Sequence, residues 1–192
     1  MSEPELREIP DAAEVGYIYR TLLQRDFPRE ECKPLAVILD ALQRGEYVCF
    51  GLYAEKLLAY AFFARVSREG GSDYLLDYFA VDRERRGEGV GSAFLRRLTG
   101  KFGPGDCVLL EAEDPEAAED PEERARRERR LQFYRANGCA EADVRATVFG
   151  VPYAVLQLPA GALRPTAEVR EIYTALYRRI LSEHFFRTQF SL

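Results

Sequence analysis

The stretch that most restricts this chain is residues 75–92, LLDYFAVDRERRGEGVGS. An apolar, aromatic run, Tyr74–Val81, reads as a strand that enters a basic turn. Three alternating glycines, Gly87, Gly89 and Gly91, then open a helix predicted over Val90–Phe102. Without Cβ atoms, successive backbone N–H groups can converge on one point. A helix N-terminus adds unpaired N–H groups and the positive end of its dipole. Arg83, Arg85 and Arg86 bring positive charge to the same place. Such a cradle suits an anion, and a pyrophosphate in particular.

Three phosphate-binding patterns compare with this run. A Walker loop needs GxxxxGK[ST], and here Gly100–Lys101 is followed by Phe102, so that pattern fails. A dinucleotide fold wants its first glycine directly after the strand, whereas five residues separate Val81 from Gly87 and Ser92 stands where a third glycine is needed. The third fits: Arg86-x-x-Gly89-x-Gly91 after the strand resembles the acetyl-CoA signature of the GNAT acetyltransferases, R/Q-x-x-G-x-G/A. A second element, Phe133-Tyr134 followed by Gly138, looks like that family's F-Y-x-x-x-G-F, with Cys139 in place of the usual aromatic. The resemblance covers residues 1–158 in element order and is sharp only at 74–98 and 131–139. The competing structural reading is a helix start that needs glycine merely for close packing.

The rest of the chain supplies the elements such a fold requires. Leu6–Ile9 reads as a strand, Ala12–Arg25 and Pro34–Arg44 as helices, and Tyr47–Ala54 and Lys56–Val66 as strands. Cys107–Ala112 is a strand, Glu122–Ala136 a charged helix closed by Asn137–Gly138, and Val144–Phe149 and Val151–Leu158 a final strand pair around Gly150. The predicted class is α/β with a mixed sheet; the resemblance makes it a mostly antiparallel sheet flanked by helices, with an extra C-terminal helix. Pro159–Pro165 marks the best boundary, dividing a domain over residues 1–160 from a helical extension over 161–192. The extension carries the stripe Val169, Ile172, Tyr173, Leu176, Ile180 and Phe185, which must dock on its own domain or make a homodimer; the sequence does not choose.

Composition excludes several function classes. At 192 residues the chain can bury one sizeable core, and a net charge of −5 argues against nucleic-acid or anionic-membrane partners. Cys32, Cys49, Cys107 and Cys139 are scattered without ligand spacing, so no metal site is expected and they read as small buried side chains. The start, MSEPELREIP, lacks a signal-peptide pattern, no stretch reaches the length of a membrane span, and the expected compartment is a reducing cytoplasm.

The resemblance implies roles for particular residues. The backbone of Phe79, Ala80 and Val81 pairs with the pantetheine arm of acetyl-CoA, and the segment Arg86, Gly87, Glu88, Gly89, Val90, Gly91 and Ser92 holds its pyrophosphate. Tyr134 is the candidate proton donor to the departing thiolate, against a structural role beside Phe133. An ammonium acceptor must lose a proton before it attacks, and Asp77 and Glu111 are the candidate bases, with Glu113 or a water chain as further choices. His184 reads as packing. Many family members carry an asparagine seven residues before the tyrosine; here Arg127 stands there, with Glu122–Arg126 and Glu123–Arg127 spaced as ion pairs on a solvated helix face, the alternative being a phosphate contact by Arg127 or Arg130. The expected activity is transfer of an acetyl group to an amine of a small molecule or peptide. A non-catalytic acyl-CoA-binding module is the alternative; O-acetyl or longer-acyl transfer would use the same motifs.

Overall fold

The computed structural model describes residues 3–160 and 163–192. Part of the boundary expected at Pro159–Pro165, Gly161 and Ala162, lies outside these residues, as do Met1 and Ser2 of the expected leaderless start. The chain divides into two compact units, one reaching to Arg65 and resuming at Leu76–Leu98, the other formed by Val66–Leu75 and Thr99–Leu192.

In the first unit, β1 (Glu5–Glu8), β2 (Tyr47–Tyr53), most of β3 (Leu57–Arg68) and the end of β4 (Gly71–Val81) lie in that order. β1 and β2 pair antiparallel with Leu6 opposite Leu52, and β2 and β3 with Cys49 opposite Phe62. Nearly every residue of β2 is buried, as in a strand covered on both faces. The helical layer starts with α1 (Ala12–Ile18), whose N-cap Asp11 accepts from the Ala13 amide at 3.0 Å. A π-helical turn, Tyr19–Leu23, carries it into the single turn α2 (Gln24–Asp26). Phe27 is extended because Pro28 follows it. α3 (Leu35–Gln43) begins after Pro34 and stops at Gly45, matching the expected Pro34–Arg44. α4 (Val90–Thr99) buries Phe94, Leu95 and Leu98 and stops short of the expected Phe102.

In the second unit the strand order is β4, β5 (Cys107–Glu113), β7 (Val151–Gln157), β6 (Ala140–Val148), β8 (Phe190–Ser191). β4 and β5 run parallel over Asp73–Leu75 and Cys107–Leu109, whereas β5–β7, β6–β7 and β6–β8 are antiparallel. The sheet is therefore mixed and mostly antiparallel. α5 (Pro121–Ala136) is capped by Asp120 and closed at Gly138, whose φ is +84°. Phe149 and Gly150 both have positive φ, the geometry of a tight turn between β6 and β7.

The C-terminal stripe buries itself within its own unit. Val169, Ile172, Tyr173, Leu176 and Tyr177 of α6 (Thr166–Ile180) are all under one-tenth exposed. The expected stripe was too long at its far end. The chain breaks at Leu181, Ser182 caps a new helix, α7 (Glu183–Gln189), and Phe185 stays 47% exposed against Phe149. β8 was not expected, because two residues carry too little pattern to mark a strand.

Candidate active site

The candidate residues fall into two groups, one in each unit. The first is built around the glycine loop. After β4, Asp82 accepts from the Glu84 amide and shapes a short 3-10 turn, Arg83–Arg85. Gly87 and Gly89 then take φ of +82° and +79°, which L side chains rarely adopt. A Cβ at either position would meet no described atom within 4 Å. Glycine is thus demanded by backbone conformation, and the close-packing reading of these two glycines fails. The Gly89 carbonyl accepts from Ala93 at 2.9 Å, so Gly89 caps α4. Helix geometry leaves the amides of Val90, Gly91 and Ser92 without intrahelical acceptors. The Glu88 amide donates within the loop, to the Arg85 carbonyl at 3.4 Å. Open space, the first amides of α4 and the helix dipole fit an anionic diphosphate.

The basic turn spends part of its charge on the protein. Asp26, whose side chain is 2% exposed, accepts from Arg25 and from Arg83, both at 3.1 Å, and Arg86 lies 3.9 Å away. Arg86 also donates to the Val81 carbonyl at 3.3 Å, and Arg85 pairs with Glu88 at 2.9 Å. Arg86 keeps about half its side chain exposed, so its charge still reaches solvent beside the loop. Ahead of the turn, Phe79 stacks on Phe94 with ring centroids 5.4 Å apart, while Ala80 is buried and Val81 half-buried.

Asp77 sits in a polar cluster the sequence did not announce. The Lys33 ammonium lies 2.5 Å from its carboxylate, and the buried Tyr47 hydroxyl donates to the same oxygen. Lys33 is itself clamped: its amide donates to the Tyr78 hydroxyl at 2.8 Å, and its carbonyl accepts from Tyr19 at 2.8 Å. Burial, then the Asp77 charge, push the Tyr47 phenol well above its ordinary pKa, so it remains a donor. Lys33 lies in the loop before α3 and Tyr47 opens β2, so no local spacing links either to Asp77.

In the second unit, the Glu111 carboxylate on β5 accepts from two tyrosines of α6. Tyr177 donates to Oε1 at 2.6 Å, and Tyr173 donates to the same oxygen. Tyr134 is buried on α5 with its ring 5.4 Å from that of Phe133. Burial raises its pKa, with the Cys139 thiol adding to the rise and nearby Arg130 pulling it back, so the phenol holds its proton at neutral pH. Burial likewise pushes the Cys107 and Cys139 thiols up to about 12, which leaves both inert.

Arg127 departs from the solvated face expected of it. It is 8% exposed, its guanidinium lies 2.9 Å from both Glu113 and Glu123, and it donates to the Asp114 carbonyl at 2.9 Å. It staples α5 to the end of β5. The Glu123–Arg127 pair forms as expected, but Arg126 turns to Glu123 at 3.6 Å in place of Glu122.

The fold is that of the GNAT acyltransferases. A Bacteroides thetaiotaomicron chain assigned to the GNAT family superposes with a TM-score of 0.69 at 17% identity, over 95% of this chain and 98% of that one. The ribosomal-protein-S18-alanine N-acetyltransferase of Escherichia coli gives 0.59 at 17% identity over 84% and 97%. An aminoglycoside 6'-N-acetyltransferase complexed with coenzyme A gives 0.59 at 16% identity over 84% and 99%. No family profile matches the chain, and no curated protein does. Among the described residues, no helix is long and apolar enough to cross a membrane.

Proposed function

We propose that this protein is an N-acetyltransferase that moves the acetyl group of acetyl-CoA to a primary amine of a small molecule or peptide, by direct attack in a ternary complex. One observation carries the reading. Within a GNAT fold, Gly87 and Gly89 hold a positive-φ loop over open space at the N-terminus of α4. Amides between Gly87 and Ser92 grip the pyrophosphate, flanked by the Arg86 and Glu88 side chains. The backbone of Phe79, Ala80 and Val81 bonds the pantetheine arm as an added strand would.

Acetyl-CoA supplies an activated thioester; the protein supplies position and charge. A carboxylate, Asp77 or Glu111, takes a proton from the acceptor ammonium, directly or through water. The freed amine attacks the carbonyl carbon, and an amide N–H near Phe79 stabilises the negative oxygen. The C–S bond breaks as the amide forms; Tyr134 gives the departing sulfur a proton, and the second proton that the attacking nitrogen sheds restores the Tyr134 phenol through water. The reading places the protein in the cytoplasm, without a metal. A second copy docking on α6 would have to use its exposed face, since the apolar stripe is already covered.

One observation favours a second reading, a non-catalytic acyl-CoA-binding module: both candidate carboxylates already have protein partners. The deciding experiment mixes the protein with acetyl-CoA and a panel of polyamines, aminoglycosides and lysine-containing peptides, and follows free thiol. Release with at least one acceptor is the expected result. Calorimetric CoA binding with no release across the panel would establish the module, and no binding heat would remove both readings.

A further inference from the structure

We infer that the C-terminal extension belongs to the catalytic machinery, with Tyr173 and Tyr177 as positioning residues that hold the Glu111 carboxylate to take the acceptor's proton. The inference rests on the acetyl-transfer reading above and names which carboxylate serves it.

The geometry is specific. Tyr173 and Tyr177 are one helical turn apart, so their side chains leave α6 on the same side. Both hydroxyls donate to one oxygen, Oε1 of Glu111, Tyr177 at 2.6 Å. Two fixed donors on one oxygen define the plane and direction of the carboxylate. The rings are themselves held: their centroids are 4.9 Å apart, and Phe190 of β8 stacks on Tyr177 at 4.9 Å and lies 5.7 Å from Tyr173. Val169, Ile172 and Leu176 bury the same face of the helix.

Packing alone does not call for this arrangement. Phenylalanine at both positions would fill the same space without burying two hydroxyls, and a buried hydroxyl is costly unless it is bonded. Tyr173 is fully buried, and burial, followed by the Glu111 charge, keeps its phenol protonated. Tyr153 of β7 acts on the Tyr173 phenol, and Glu113, next on the same face of β5, is answered by Arg127 of α5 at 2.9 Å. The tyrosine pair thus places two hydrogen bonds on the Glu111 carboxylate.

Hydrogen bonds to a carboxylate favour its charged form, so removing them raises its pKa. A base works only when deprotonated, so the acidic limb of the rate profile should then move to higher pH. The test uses the full chain as Tyr173→Phe/Tyr177→Phe, with Tyr177→Phe alone as the milder variant should the pair disturb folding. Three quantities are read: CoA affinity by calorimetry, kcat/KM against pH with the best acceptor, and the Glu111 titration midpoint by NMR of carbon-13-labelled glutamate. Expected are unchanged CoA affinity, a Glu111 midpoint raised by about one pH unit or more, and an acidic limb raised equally. Glu111→Gln should remove that limb. A midpoint that moves while the limb stays put overturns the inference and leaves acetyl transfer standing. An unmoved midpoint overturns it too. Failure to bind CoA or release thiol in the unaltered protein overturns both the inference and the reading beneath it.

Discussion

The glycine loop and the Glu111 clamp are built in opposite ways. The loop works with main-chain atoms of consecutive residues, and its only chemical demand is that Gly87 and Gly89 tolerate positive φ. The clamp works with side chains from positions 62 and 66 residues apart in sequence, and exists only because α6 docks. A device made of adjacent backbone leaves a pattern in the sequence. A device made of distant side chains leaves none until the chain has folded.

The sharpest way to break this comparison is Gly89→Val. A β-branched residue at φ +79° costs roughly 1–2 kcal/mol in stability and pulls the amides out of register. Losing two charge-assisted amide contacts should weaken CoA binding about 100-fold or more by calorimetry. Gly45→Val is the control, because Gly45 has φ +70° and equally open space at the end of α3. It should cost similar stability and leave CoA affinity unchanged. Equal affinity in the two variants would mean that the loop is not the anion site.

Next in size is Leu176→Ala, which empties a fully buried position beneath the clamp. The expected loss is about 2–5 kcal/mol in denaturant melts, with CoA affinity retained. A loss below about 1 kcal/mol would show that α6 is not docked in solution.

The smallest effect is expected for Tyr134→Phe, which keeps the ring packed and removes only the hydroxyl. Turnover should fall about tenfold, less than is usual for a general acid because thiolate leaves readily, with CoA affinity within about twofold. Steady-state kinetics beside calorimetry separate the two. If rate and binding fall together, Tyr134 is a packing residue.

Much of the architecture was readable beforehand because it follows local rules. The strand at Tyr74–Val81, the helix opened by Gly89, the stop at Gly45 and the turn at Gly150 all sit where residue type restricts φ or sets the apolar period. The side-chain partners that the sequence missed were distant ones. Arg127 looked like one half of a solvated i,i+4 pair, and only the return of β5 beneath α5 brings Glu113 and the Asp114 carbonyl to its buried guanidinium. Tyr173 was legible as part of an apolar stripe, but its hydroxyl's partner was not. Tyr177, one turn later, carried a signal that spacing alone could have raised.

By itself the sequence determined most of the order of elements, the mixed sheet and the glycine turn that opens α4, because backbone sterics and hydrophobic period act between neighbours. Only the tertiary structure decided which side chains meet the candidate carboxylates: Lys33 and Tyr47 at Asp77, Tyr173 and Tyr177 at Glu111. Those meetings depend on which surfaces the hydrophobic effect buries together, and that force is blind to the few polar atoms it carries into contact.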